Sequence, residues 1–558
     1  MDKRFGRMLW VLAAVVMAVV MVAGCTSPTP APTGTPTKPF TLVEMTISDP
    51  PSLDPGLEYD SACYGITQNV YETLVWYEGE GVTKPVGQLA KSWTTNDDFT
   101  VWTFYLRDNV KFHDGSAFNA SAVKYTFDRG VLMNYPDGPW AGSGMASFLK
   151  GADEYMGSNM TEADVQAYLA NEAVKVINET TVQFTLGTSY PNWFHVCAFP
   201  ATAILAPGPE MTNMPFKPGN WSDTYYKEHM CGTGPFKFVS WAHEDNLIFD
   251  RNDNYWRTPA KASRVVVRTV PDVNNRILAM DKGECDFSQE NARNIPVWRN
   301  STSADLKIYN DTLSISFIGM YNGKAPFSDP KVRQAFVESF DYVTYRDQVA
   351  FGTGAFPHGI VPKGLEGYNE AIPTSKFDPE HAKQLLKEAG FSKDKPQTIV
   401  IAFNKGNTGR QTGCLLLKDT VEKYDLGITL DIQELTWATI LDKQKKGELD
   451  MFFLGWLADF PTADNFLGPF AISDIYFARQ VAYKNATIDD LYYNKYFTAK
   501  TQAERNQIVD QIQLGLLNDN PYIIYLQPAN VYAVDKDIKG WTWNVMQSAF
   551  IWYPMYKE

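Results

Sequence analysis

The chain has 558 residues, 44% hydrophobic, 14% aromatic and 20% charged, with a formal net charge of −14. That is enough folded-protein composition for a large core and two or more lobes, and the acidic balance disfavours nucleic acid and anionic lipid as partners. Fifteen Trp and 29 Tyr suit a large core, and suit equally well the stacking walls of a ligand cleft.

The N-terminus reads as an export signal. A short basic segment, MDKRFGR, precedes MLWVLAAVVMAVVMVA at residues 8–23, which carries no charge, and VAGC ends the stretch at Cys25. The cysteine at the break is similar to a lipoprotein lipobox. It predicts a signal peptide over 1–24 and lipidation of Cys25. An uncleaved membrane anchor is the alternative, although the apolar run is shorter than the ~20 residues that span a bilayer. Residues 26–40, TSPTPAPTGTPTKPF, hold five Pro and five Thr with no hydrophobic period, so 25–40 is expected to be an extended spacer.

Residues 41–55, TLVEMTISDPPSLDP, predict a strand and a Pro-rich turn, with Asp54 as a turn residue. In WTFYLR, Trp102, Phe104 and Leu106 alternate with Thr103, Tyr105 and Arg107, a period of two that predicts a half-buried strand. Asp114-Gly115 closes a turn, and Asn119 is placed to cap a helix over SAVKYTFDRG. CGTGPFKFVSW, 231–241, has the glycines of a phosphate loop but no Gly-Lys-Ser/Thr and no following helix, so it predicts a tight turn and a strand. SDPKVRQAFVESFD and DPEHAKQLLKEAGF predict two helices, capped by Ser328 or Asp329 and by Asp378, with Gly390 stopping the second. QTIVIAF, ITLDIQEL and LDMFFLGW predict strands, with a helix over GCLLLKDTVEKY, and PYIIYL at 521–526 a further strand: α/β alternation.

Six cysteines, Cys25, Cys63, Cys197, Cys231, Cys285 and Cys414, leave five if the first is lipidated, which permits at most two disulfides. No CxxC or HExxH is present, so no metal site is expected. Seven N-x-S/T sequons, at Asn119, Asn159, Asn178, Asn220, Asn300, Asn310 and Asn485, are compatible with export without showing glycosylation.

Eight strings now stand in one order along the chain: SLDP (52–55), YETL (71–74), LAKSW (89–93), WTFYLRDNVKFHDG (102–115), GTGPFKF (232–238), FSDPKVRQAF (327–336), DPEHAKQLLKEAGF (378–391) and GWLADFPTADNF (455–466). Together they resemble the family 5 extracellular solute-binding proteins, the peptide, nickel and oligosaccharide receptors of ABC importers. The resemblance implies an α/β, two-lobed periplasmic-binding-protein-like fold of the class II type with an inserted extra subdomain. It places one lobe in 41–74, 226–310 and 526–558, the subdomain in 75–225 and the other lobe in 311–525. It also implies a lipid-anchored, monomeric receptor on the extracytoplasmic side of the cell membrane, with a peptide ligand, permease subunits as partners, no cofactor and no catalysis.

The same resemblance assigns a site. In peptide-binding members the aspartate of Gly-Trp-x-x-Asp grips the ligand's α-ammonium, which here is Asp459, with Trp456 as aromatic wall. Trp437 in ELTWATI and Tyr64 are expected to line the cleft. An arginine upstream meets the ligand carboxylate in dipeptide receptors, and Lys405 or Arg410 in NKGNTGR stands nearest that place. PTADN at 461–465 departs from the Pro-Asp-Pro-Asp-Asn of many relatives. Asp464 is expected to cap the following turn. Oligosaccharide or nickel-chelate binding is the alternative within the family. A secreted hydrolase using Glu284 and Asp286 is the alternative outside it, though GECDF reads as a helix end and strand start, and no Gly-x-Ser-x-Gly elbow occurs.

Overall fold

A computed structural model describes residues 40–81, 85–152, 154, 161–207, 225–547 and 549–558. Cys25, the signal segment, most of the spacer and the sequons at Asn159 and Asn220 lie outside the described residues.

Three main sheets organise the chain. The largest has seven strands in the order Ala304–Tyr309, Asn530–Asp535, Phe287–Glu290, Phe40–Thr46, Ala262–Thr269, Asn246–Arg251 and Phe236–Ala242. Phe40–Thr46 runs parallel to both its neighbours, and the outer pairs are antiparallel. It is therefore assembled from segments far apart in the sequence, with Phe40–Thr46 and Asn530–Asp535 both inside it.

A four-stranded antiparallel sheet comprises Ala90–Thr95, Val101–Leu106, Thr181–Thr185 and Val174–Asn178. The period-two reading of 102–107 describes its second strand: Trp102, Phe104 and Leu106 are buried. Phe104 meets Phe184 edge-on at 5.6 Å, and Phe184 meets Phe127 of the helix Ala120–Met133 at 4.7 Å. Asn119 caps that helix, its side-chain oxygen accepting from the backbone of Ser121 and Ala122 at 3.0 and 3.1 Å.

The third sheet has five strands in the order Ile428–Leu435, Gln397–Asn404, Met451–Leu457, Ser314–Met320 and Tyr522–Leu526. Gln397–Asn404 is parallel to both its neighbours, and the helices Thr408–Lys423 and Trp437–Lys445 carry the crossovers. MFFL begins the strand as an unbroken apolar run because that part is covered on both faces, whereas Gly455 beyond it is exposed. The helices Pro330–Ser339 and Pro379–Glu388 start at Asp329 and Asp378, each accepting a backbone N–H of its first turn, and Gly390 takes the left-handed φ of +89° that ends the second.

Some local readings are refined. Asp54 does close a turn, accepting from Gly56 N–H at 3.0 Å, but it also forms a fully buried forked ion pair with Arg129, at 3.1 and 2.5 Å. The glycines of GTGPF owe their place to close packing: a Cβ at Gly232 or Gly234 would lie 2.4 or 2.5 Å from the Val70 carbonyl oxygen. Cys63, Cys197, Cys231, Cys285 and Cys414 are all free thiols, so no disulfide forms among the described residues.

Candidate ligand-binding site

The five-stranded sheet places its polar residues by one rule. In a parallel α/β arrangement, side chains for ligands gather where strands end at their carboxyl edge and the chain turns into the next helix. Three strands end together here. Arg410 follows Asn404, Trp437 follows Leu435 and Asp459 follows Leu457. All three line one cavity of about 1160 Å³, part of it open to solvent. Its walls include Gln289 and Asn530 of the seven-stranded sheet as well as Ser314–Ser316 and Leu454–Leu457 of the five-stranded one, so it lies between the two sheets.

Asp459 is held before any ligand arrives. After Ala458 makes the last sheet-like hydrogen bond, to Leu313 at 2.8 Å, the chain leaves the sheet. Asn465, in the helix Asp464–Ala471, clamps the residue that follows. Its Oδ1 accepts from the Asp459 backbone N–H and its Nδ2 donates to Asp459 Oδ2, both at 2.8 Å. The Tyr59 hydroxyl donates to the same Oδ2. Among the described residues Oδ1 accepts no hydrogen bond and no Lys, Arg or His pairs with the carboxylate. Asp459 is 8% exposed, and burial pushes its carboxyl up to about 7, against the opposing hydrogen bonds of Tyr59 and Asn465.

The aromatic wall is dense. Tyr59 stands edge-on to Trp456 at 5.1 Å and close to Tyr476 at 4.8 Å, and Trp456 donates Nε1 to the Asn465 carbonyl at 3.1 Å. Trp456 is thus both a core residue and a cavity wall. Tyr64 meets Phe199 at 5.1 Å, and its buried hydroxyl has no hydrogen-bond partner among the described residues. Trp437, half-buried at the start of its helix, donates Nε1 to Asp60 Oδ1 at 3.3 Å.

Asp60 is the second carboxylate of the cavity. It caps the short helix Ser61–Thr67, accepting from Ala62 and Cys63 N–H at 2.9 and 3.1 Å, while its buried Oδ2 has no partner among the described residues. Burial raises its pKa, opposed by those bonds and Trp437. Arg410 is the cationic counterpart. It donates to Asn404 Oδ1 at 2.8 Å and lies 5.9 Å from the Trp437 ring, and no carboxylate of the described chain pairs with it. Burial pulls its pKa down. Gly455 faces it: a Cβ there would lie 3.5 Å from Arg410 Nη2.

The structure therefore brings Asp459, Trp456, Trp437, Tyr64 and Arg410 together. Lys405 is not with them: it is exposed and lines a separate surface cleft beside Asp49 and His243. Asp464 is no cap. It sits in the first turn of its helix, buried, accepting from the hydroxyls of Tyr190 and Tyr496. Tyr59, Asp60 and Asn465 escaped the sequence reading. Asp60 before a short apolar segment carries a cap signal, and Asn465 stands inside the quoted ADNF; nothing in the sequence marks Tyr59. Glu284 is exposed, whereas Asp286 is buried, accepts from Val43 N–H at 2.7 Å and pairs with Lys557, so the two carboxylates share no face. Among the described residues no group of three or more His, Cys, Asp or Glu is placed to hold a metal ion.

Comparison with known proteins gives a consistent result. A family model described as bacterial extracellular solute-binding proteins, family 5 Middle, matches residues 84–477. The chain is 26% identical over 514 residues to the Probable D,D-dipeptide-binding periplasmic protein DdpA of Escherichia coli (strain K12), covering 90% of this chain and 92% of that one. It is also 26% identical to Heme-binding protein A of Haemophilus influenzae, covering 90% and 89%. Among solved structures it is similar to the ABC transporter-associated periplasmic binding protein DppA from Helicobacter pylori in complex with peptide STSA, with a TM-score of 0.78 and 25% identity over 93% of this chain and 98% of that one.

Proposed function

The chain belongs to the bacterial extracellular solute-binding proteins of family 5, and on that premise we propose that it is a receptor that captures a short peptide between its lobes and passes it to an ABC importer permease. In this reading the lobes are 41–74, 226–310 and 526–558, and 311–525, with the subdomain 75–225; the three sheets support it, although Leu526 is still the last residue of a strand of the five-stranded sheet. Residues 1–24 and Cys25 then supply export and a lipid anchor, and the Pro/Thr stretch supplies reach.

One observation carries this reading. Asp459 and Arg410, opposite in charge, line the same cavity, and neither has a charged partner in the described chain. Burying a charge without a partner is costly. A zwitterion satisfies both: its α-ammonium donates to Asp459 and its carboxylate accepts from Arg410. Gly455 beside Arg410 lies four residues before Asp459, a separation of at most roughly 13 Å along extended chain, which suits two or three peptide residues. Asp60 and the Ser314 and Tyr64 hydroxyls, unpartnered among the described residues, offer further hydrogen bonds, directly or through water.

The aromatic wall also suits a sugar ring, but it offers no use for paired opposite charges, so the peptide reading is preferred to the oligosaccharide one. The family's role is binding, and we assign no catalysis. Calorimetry with Ala-Ala, Ala-Ala-Ala and their N-acetylated forms tests the proposal. Free peptides bind and acetylated ones lose most of their affinity; equal binding of both, or of neither, sinks it.

A further inference from the structure

The space in front of Arg410 continues beyond it. Arg410, Trp437, Ser61 and Gln289 line both the cavity described above and a second one of about 1030 Å³, so the two share a wall. On the second cavity stands Glu44, from the central strand Phe40–Thr46 of the seven-stranded sheet. It is 4% exposed. Its Oε2 accepts from Trp552 Nε1 at 2.8 Å, and among the described residues its Oε1 accepts no hydrogen bond and no cation pairs with it.

The other carboxylate of this cavity is already committed. Glu290 is gripped by Arg276 through both oxygens at 2.7 Å, with Ser288 and Asn294 adding bonds at 2.8 Å. Of the other polar side chains that line this cavity, Asn291, Asn404 and Asn407 are neutral, and Arg410 is the one cation among its described lining residues. Glu44 is therefore a buried acid with one free oxygen, adjoining the place where a ligand carboxylate would sit. Burial pushes it up to about 8, which leaves it protonated at neutral pH until a cation comes near.

We infer that Glu44 reads the side chain of the peptide's C-terminal residue and favours a cationic one, such as lysine, ornithine or arginine. This rests on the peptide reading above. With the ligand's carboxylate on Arg410 and its side-chain cation on Glu44, each buried charge of this region acquires a partner. An uncharged side chain leaves Glu44 neutral and is tolerated. An acidic one gains no ion pair there and likewise leaves Glu44 neutral.

The test compares Ala-Lys, Ala-norleucine and Ala-Glu, and the tripeptides with one more alanine, on the full chain by calorimetry. Norleucine keeps the length of lysine without its charge. The native protein binds the lysine peptide ~10-fold or more tightly than the norleucine one, the size of one charge-assisted hydrogen bond, and more tightly than the glutamate one. Glu44→Gln keeps an acceptor for Trp552, so its melting temperature stays near native, and it brings lysine and norleucine peptides within about twofold of each other. Equal affinities in the native protein, or a lysine preference that survives in Glu44→Gln, overturn the inference while leaving the peptide reading intact. Failure of every peptide to bind removes both.

Discussion

Asn465 grips Asp459 at two points, accepting from its backbone N–H and donating to its Oδ2, each at 2.8 Å. The clamp fixes the carboxylate with Oδ1 left over, and Tyr59 completes the hold on Oδ2. A carboxylate restrained in this way loses little freedom when it meets an ammonium group, which is how pre-organisation turns a weak contact into a useful one.

Asp459→Asn should separate binding from folding. The amide keeps the shape and can still accept from Asn465, but it offers no charge. Affinity for a free dipeptide should fall by about 10- to 100-fold, the range for a charge-assisted hydrogen bond, as read by calorimetry. Thermal melting without ligand at pH 8 should be unchanged or higher, because a buried ionised group has been removed. A large loss of melting temperature in the absence of ligand would make Asp459 a structural residue instead.

Binding should depend on pH with a defined sign. Ligand ammonium requires ionised Asp459, whose pKa is about 7, so affinity falls as the solution is acidified through pH 7. A free peptide amine titrates near pH 8, which lowers affinity again on the alkaline side; the combined expectation is an optimum near pH 7.5 and roughly 50-fold weaker binding at pH 5. Around Asp459 stand Tyr59 and Tyr64, which remain neutral across this range, and Asp60, whose own shift is upward. Asp459→Asn flattens the acid limb if the assignment holds. For the empty protein the linkage runs the other way. A carboxyl raised from 3.8 to about 7 binds a proton more tightly when folded, so its contribution to stability is greatest in acid and is lost as pH rises between those two values.

Tyr59→Phe removes the phenolic donor from Asp459 Oδ2. The carboxylate then keeps only Asn465, its pKa rises further, and the acid limb of the binding profile moves to higher pH. The measurement is dipeptide affinity between pH 6 and 9. An unmoved limb would show that the Tyr59 bond does not influence the charge.

Gly234→Ala tests packing away from the site. The added methyl would lie 2.5 Å from the Val70 carbonyl oxygen, and that backbone is fixed by the Gly234 N–H bond to the same oxygen at 3.0 Å. A loss of about 1–3 kcal/mol in denaturant unfolding is expected, the usual cost of overpacking.

Arg129→Met tests the buried pair with Asp54. Leaving one buried charge without its partner typically costs about 3–5 kcal/mol. Chemical denaturation should show a loss of that order, whereas a cost near zero would mean that Asp54 takes up a proton or water instead.

The strands and helices that build the sheets were legible because their signals are local. Trp102, Phe104 and Leu106 announce a half-buried strand by alternation, Asp329-Pro330 and Asp378-Pro379 announce helix starts by capping chemistry, and MFFL announces a buried strand by being apolar throughout. The sequence by itself also determined the membership of the family and the cation-seeking role proposed for Asp459, since both rest on short strings in a fixed order. Tertiary structure alone decided the rest. Tyr59 and Asp459 are 400 positions apart in the chain, and Glu44 and Trp552 are 508 apart. No periodicity reports such meetings, because they arise only when segments far apart in the chain are packed together by the sheets. The choice of Arg410 over Lys405 has the same cause: a shift of five residues along the chain moves a side chain from a solvent cleft to the wall between the sheets, and only the folded backbone says which of the two cations the water has been made to leave.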